Sequence, residues 1–200
     1  MMQDEIIRWE TNGGVEFIKK TGIQAGHRVI DFGTRVGHYS IPAAIVVGQS
    51  GYVYAIDKEK RDLDVLEVKK KKLDLHNLEI RHIDGNPILD FINKTIDVVM
   101  CYDVLHLLRK EDRIALYGEI SRVLKPSGFF SVFPKHVIED NPVEYFTHMH
   151  LEDVKQEIQS LKFKLANKIC DTMIHDDRFA YDCVFVYGKT EYDCHQVFTM

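Results

Sequence analysis

Four carboxylates and a pair of glycines mark where this chain can do chemistry. In the run VIDFGTRVGHYSIPAA (29–44), Asp31 stands just before Gly33, and Gly37 follows four residues later. Asp57 ends a second apolar run, YVYAID, twenty residues past Gly37. Glycines at a turn let the backbone come close to a ligand, and a carboxylate at the tip of the next strand accepts hydrogen bonds from a ribose diol. Asp84 and Gly85 in HIDGN, and Cys101 to Asp103 in MCYD, close two further apolar runs in the same way. The chemistry implied is nucleoside binding. A single strand-end Asp serves equally well as a cap for the next turn. The set of four, with the glycine turn, points to a ligand.

The elements that must position these residues alternate. A helix is predicted over 4–20, then strand RVIDF, then a helix through IPAAIVVG. Pro42 falls in the first turn of that helix, where its missing N–H costs nothing. Strand YVYAI, a charged helix over 59–75 and strand LEIRHI follow. IDVVMCY is fully apolar, as in a strand buried on both faces. Over 111–124, Ile114, Leu116, Tyr117, Ile120, Val123 and Leu124 fall near 3.6 spacing, and Lys125-Pro126-Ser127-Gly128 stops that helix. Strand FFSVF, an irregular stretch over 134–150 and a helix over 151–161 come next. Two long strands, FKLANKICDTMI and FAYDCVFVYGK, are joined through His175-Asp176-Asp177, a link too short for a parallel crossover. This order predicts an α/β, doubly wound, mostly parallel sheet, with ligands outside the carboxyl ends of its strands.

Two hundred residues with 45% hydrophobic content suit one domain spanning 1–200. A net charge of −5 argues against nonspecific nucleic-acid binding. No apolar run approaches the roughly 20 residues of a membrane span, and MMQDEIIRWE lacks an apolar signal core. Cys101, Cys170, Cys183 and Cys194 show no CxxC spacing, so a cytoplasmic protein with reduced thiols is the expectation. Cys170 and Cys183 are expected to pack as small hydrophobes. The sequence carries no signal of oligomeric state.

These motifs, in this order and spacing, resemble the class I S-adenosylmethionine-dependent methyltransferases, closest to the small-molecule branch with quinone-biosynthesis and arsenite methyltransferase-like proteins. DFGTRVGHYS resembles the first motif, under the methionine and ribose parts of the cofactor, and AIDKE the second, whose acid holds the ribose hydroxyls. HIDGN resembles the third, whose acid meets the adenine amino group, while IDVVMCYDVLHLL and EISRVLKPSGFFSV resemble the fourth and the unit after it. The resemblance covers 26–133, and the closing helix and strand pair (151–188) suit it. It implies a seven-stranded Rossmann-like sheet with an antiparallel last strand. It also implies an S-adenosylmethionine site drawn from Asp31, Gly33, Gly37, Asp57, Lys58, Asp84, Gly85 and Cys101. Arg35 departs from the pattern, since the family usually has a glycine midway between Gly33 and Gly37. If that position needs a positive φ, the arginine costs about 1–2 kcal/mol.

Methyl transfer is an in-line displacement at a sulfonium that is already a strong electrophile. Orientation can supply most of the catalysis, and a base is needed only if the nucleophile holds a proton. His106 is the candidate base, and Tyr102 and Asp103 are candidates to line the same pocket, with a cap for the VLHLL segment the favoured role of Asp103 and packing beside the cofactor that of Tyr102. His148 and His150 alternate, so an extended segment would put them on one face, where with His136 they could hold a proton or a metal. No third ligand has motif spacing, so no metal is expected. Acceptor contacts are expected from the opening helix, from 134–150 (Tyr145, Phe146, His148 and His150) and from the 175–177 turn. Trp9 is a candidate lid, and Lys69 to Lys72 a solvated helix surface.

Three function classes are consistent with these residues. The first is an enzyme methylating a small-molecule acceptor. The second is a methyltransferase-fold binding module, supported by Arg35. The third is an NAD-dependent oxidoreductase, which Asp57 would suit, although G-x-x-x-G replaces G-x-G-x-x-G and no Tyr-x-x-x-Lys is present.

Overall fold

The computed structural model describes residues 2–142 and 148–190. Seven strands form one sheet: β1 (Arg28–Phe32), β2 (Tyr52–Asp57), β3 (Leu78–His82), β4 (Ile96–Tyr102), β5 (Leu124–Phe133), β6 (Phe163–His175) and β7 (Arg178–Lys189). Their order is β3-β2-β1-β4-β5-β7-β6. Neighbours from β3 to β5 pair in parallel, and β7 runs antiparallel to both β5 and β6. The doubly wound sheet with one antiparallel strand is therefore as expected. The chain order reverses between β1 and β4, which opens a crevice at their carboxyl ends.

Helices α1 (Met2–Arg8), α2 (Gly14–Lys20), α3 (Ser40–Val47), α4 (Lys60–Lys72), α5 (Lys110–Val123) and α6 (Leu151–Ser160) complete the fold. Val98, Met100 and Tyr102 of β4 face a buried cluster with Phe17, Ile41 and Leu66. Val99 and Cys101 face a second cluster with Leu116, Ile120 and Ile158. Alternate residues of one strand thus enter two cores, which is why β4 reads as a continuous apolar run. The bidentate pair of Arg113 on α5 and Glu157 on α6, at 2.9 and 2.7 Å, is buried beside the second core.

Four details correct the sequence reading. The opening helix is broken by a π-helical turn, Trp9–Gly13. There Gly14 lies so close to α3 that a Cβ would come within 2.8 Å of Pro42 Cγ. The Lys125-Pro126-Ser127-Gly128 segment is not a separate stop, since β5 begins at Leu124, directly after α5. A bulge between Ile96 and Val98 lets the pairing with β4 absorb it. Cys170 and Cys183 face each other across β6 and β7 and form a disulfide rather than packing as free thiols. The β6–β7 link is a two-residue turn, Asp176-Asp177, with φ of 48° and 59°, the backbone of a tight hairpin. Tyr145, Phe146 and Cys194 lie outside the described residues. Among the described residues, no helix is long and apolar enough to cross a membrane.

Candidate active site

The loop between β1 and α3 is built from beneath. Asp31 is buried and accepts a hydrogen bond from Ser40 Oγ at 2.6 Å, and Thr34 Oγ1 lies 2.7 Å from the same hydroxyl. Burial pushes the Asp31 carboxyl up to about 6. The N–H groups of Gly33 and Thr34 both donate to the Ile56 carbonyl, at 2.8 and 3.1 Å, tying the loop to β2. Gly33 has φ 84° and lies against Val104, 2.6 Å from where a Cβ would stand. Gly37, at φ 87°, is pressed against Leu66 of α4.

Arg35 adopts φ 49°, a left-handed backbone that favours glycine. Its amide donates to Asp57 Oδ2 at 2.7 Å. Its guanidinium lies 3.9 Å from Asp62 and 3.4 Å from Asp176 on the hairpin tip. The position is thus used by its backbone, while the side chain meets carboxylates at the rim.

Over the ends of β1, β2 and β4 lies a cleft of about 520 Å³. Gly33, Asp57, Lys58, Asp84 and Gly85 line it. Asp57 is 7% exposed, and its other oxygen accepts the Glu59 amide at 2.9 Å. Each carboxylate oxygen has more than one lone pair, so the group can still receive hydroxyls from the cleft side. Phe32, Ile56, Ile83, Leu107 and Leu108 form an apolar wall. Six carboxylates (Asp57, Glu59, Asp62, Asp84, Asp103, Asp112) face two cations, Arg35 and Lys58. Such a cleft favours a cationic ligand and disfavours a pyrophosphate.

Asp31, Gly37 and Cys101 do not line the cleft. Asp31 and Gly37 shape the loop from behind. Cys101 is fully buried, and its thiol is pushed well up by burial. Tyr102 is a core residue rather than an acceptor contact: its hydroxyl is 2.7 Å from Ser131 Oγ and its ring stands edge-on to Tyr39 at 4.8 Å. Trp9 is buried against Phe17, Tyr39 and Phe179 and is not among the cleft residues.

At one side of the cleft the strand ends bring four polar residues together. Asp103 follows β4, His136 follows β5, and His175 ends β6. Asp103 does not cap the following turn (Leu105–Leu107), whose N-cap is Val104. Instead its Oδ2 lies 3.1 Å from His175 Nε2. His136 Nε2 is 3.1 Å from His175 Nε2 and 3.7 Å from Asp103 Oδ1. His106 is 8% exposed, with its ring 4.3 Å from that of His136. Burial pushes its imidazole down to about 4, which keeps it neutral near pH 7 and makes it a weak base. The hydrogen bond to Asp103 pushes His175 the other way, upward. His148 and His150 are exposed and do not join His136, and His150 Nδ1 meets Glu139 at 3.2 Å.

The hairpin tip is docked over the loop. His38 joins Glu10 of the opening π-turn to Asp177 of the hairpin, with 2.8 Å on each ring nitrogen. Lys69 of α4 meets the same Glu10 oxygen at 2.5 Å. Long-range ion pairs of this kind leave no spacing in the sequence. His175 was legible there only as a turn residue.

Residues 29–128 match the methyltransferase domain family. A demethylmenaquinone methyltransferase of Oceanobacillus iheyensis is 32% identical over 112 residues, 56% of this chain and 45% of that protein. A cobalt-precorrin-6B C(15)-methyltransferase of Sulfolobus acidocaldarius, so named as probable, is 28% identical over 80 residues, 40% of this chain and 42% of that protein. The chain thus spans about half the length of the curated relatives it matches. In fold it is similar to a SAM-dependent methyltransferase from Aquifex aeolicus, with a TM-score of 0.71 at 23% identity over 90% of this chain and 91% of that one. It is also similar to YcgJ from Bacillus subtilis, with a TM-score of 0.68 at 14% identity over 90% and 99%. With half its length matched by the family, and with the glycine loop and strand-tip acids in place, the chain belongs to the methyltransferase domain family.

Proposed function

We propose that this chain transfers a methyl group from S-adenosylmethionine to a small-molecule acceptor. The supporting observation is the acidic, partly apolar cleft over the switch point, with Gly33, Asp57 and Asp84 on its walls. Asp57 would hold the ribose hydroxyls, Asp84 the adenine amino side and the Gly33 turn the close-lying backbone. The surplus of carboxylates suits a ligand carrying a sulfonium and an ammonium. It weighs against a dinucleotide, whose pyrophosphate would meet six carboxylates offset by only two cations, Arg35 and Lys58. Bound S-adenosylmethionine supplies the electrophilic methyl group. The chain's task is to align the acceptor and exclude water, which orientation alone can turn into a large rate effect.

The acceptor would enter beside Asp103, His106 and Leu107, where polar groups meet the apolar wall. Curated relatives named demethylmenaquinone methyltransferase support a quinol ring as the first acceptor to try. Arg35, the main reason to consider a binding module, keeps the loop backbone and directs its side chain to Asp62 and Asp176, so it gives that reading no support. The test is transfer of an isotopically labelled methyl group to a panel of small molecules that includes a demethylated quinol. Label on an acceptor, with S-adenosylhomocysteine formed in equal amount, is expected. Cofactor binding without transfer to any member of a broad panel would favour the binding module.

A further inference from the structure

Asp103, His136 and His175 sit at the ends of three different strands, yet one ligand atom from each lies within 4.8 Å of the others. Two imidazoles and a carboxylate are the donor set of transition-metal centres that keep coordination positions open. The spacings also fit. Ligand atoms about 2.0–2.1 Å from a tetrahedral ion stand roughly 3.3–3.4 Å apart. Here His175 Nε2 lies 3.1 Å from both His136 Nε2 and Asp103 Oδ2, and His136 Nε2 lies 3.7 Å from the other carboxylate oxygen, Oδ1, so a carboxylate reaching with both oxygens or a side-chain rotation completes the set.

Two features indicate that the cluster is built rather than accidental. Asp103 and His136 both hold left-handed backbone, at φ 55° and 56°. Such backbone is uncommon for residues other than glycine, and it gathers at functional sites. His175 Nε2 also faces both His136 Nε2 and Asp103 Oδ2 at 3.1 Å. One ring N–H serves both only as a weakened three-centre bond, whereas a cation among the three receives a lone pair from each. Side-chain exposures of 15, 20 and 19% for Asp103, His136 and His175 leave the site screened but open to an entering ion.

We propose that Asp103, His136 and His175 bind a divalent transition-metal ion. Asp103 also lines the cleft, so the open coordination positions would face an oxygen of the acceptor or a water beside it. That consequence rests on the methyl-transfer reading; the binding of the ion does not.

The test uses the chelator-stripped full chain. Calorimetric titration with Zn²⁺ should show one equivalent bound with a micromolar or lower dissociation constant. Co²⁺ should give a visible ligand-field band without a sulfur charge-transfer band. The His136→Ala/His175→Ala double variant, its fold verified by circular dichroism, should lose Zn²⁺ affinity by at least about 100-fold. A His148→Ala/His150→Ala variant should keep it. Absence of stoichiometric binding by the parent chain, or binding retained by the His136/His175 double variant, overturns the site. The first result would leave a hydrogen-bonded Asp103–His175 pair without metal. S-adenosylhomocysteine binding, measured separately on the same stripped protein, shows whether the cofactor reading stands whichever way the metal result falls.

Discussion

The amide of Arg35 donates to Asp57 Oδ2 at 2.7 Å, so the carboxylate expected to hold a ribose also holds the glycine loop in place. The same carboxylate receives the Glu59 amide at the start of α4. Asp57 therefore connects three pieces of the cleft, and its loss has two separable effects.

Asp57→Ala is expected to weaken cofactor binding by roughly 1–3 kcal/mol through lost charge-assisted hydrogen bonds. It should also lower stability by about 1–2 kcal/mol, because two backbone N–H groups lose their partner. Calorimetry and urea unfolding read the two effects separately. Unchanged affinity would remove Asp57 from the binding site.

Arg35→Gly relieves about 1–2 kcal/mol of backbone strain. Against this stand the flexibility glycine adds to the unfolded chain and two solvent-screened ion pairs of little worth. The expected result is a stability change within about 1 kcal/mol and cofactor affinity equal or higher. A tenfold or greater loss of affinity would mean that the guanidinium itself holds the ligand.

Asp31 gives the protein a pH signature. Its folded-state carboxyl titrates near 6, above the unfolded value, because burial disfavours the charge. A raised acid binds a proton more tightly when folded. Its contribution is therefore fully present below the unfolded value near 4 and is lost as pH rises through about 6. The loss is on the order of 2–3 kcal/mol. Asp31→Asn should flatten this part of the stability profile in denaturation measured from pH 4 to pH 7. An unchanged slope would show that Asp31 does not carry it.

Arg113 and Glu157 test the packing of α5 against α6. Both are buried, at 3% and 6% exposure, and each leaves a charge unpaired if the other is removed. Glu157→Ala should cost about 3–5 kcal/mol, read by thermal or urea unfolding. A cost below about 1 kcal/mol would mean that water already screens the pair.

The sheet, the glycine turn and the strand-tip acids Asp57 and Asp84 were legible because each is a local pattern. Apolar runs, turn residues and the acid after a strand lie side by side in the chain. The roles of Asp31 and Cys101 were not. Strand-end position says that a residue is near a ligand edge, whereas burial decides whether it faces the cleft or props the loop. The Cys170–Cys183 bridge depends on strand register, which no spacing encodes. The meeting of Asp103, His136 and His175 was also hidden, since it needs three strand ends and two left-handed residues at once. The histidines that lie close in sequence, His148 and His150, are both exposed and stand apart from this cluster.

The central claim is that the acidic cleft binds S-adenosylmethionine. Calorimetric titration of the purified chain with S-adenosylmethionine and S-adenosylhomocysteine, with NAD as control, tests it most directly. The account predicts micromolar binding of the sulfur ligands, lowered by Asp57→Ala, and no binding of NAD. Binding of NAD, or of none of the three by a folded protein, would contradict it.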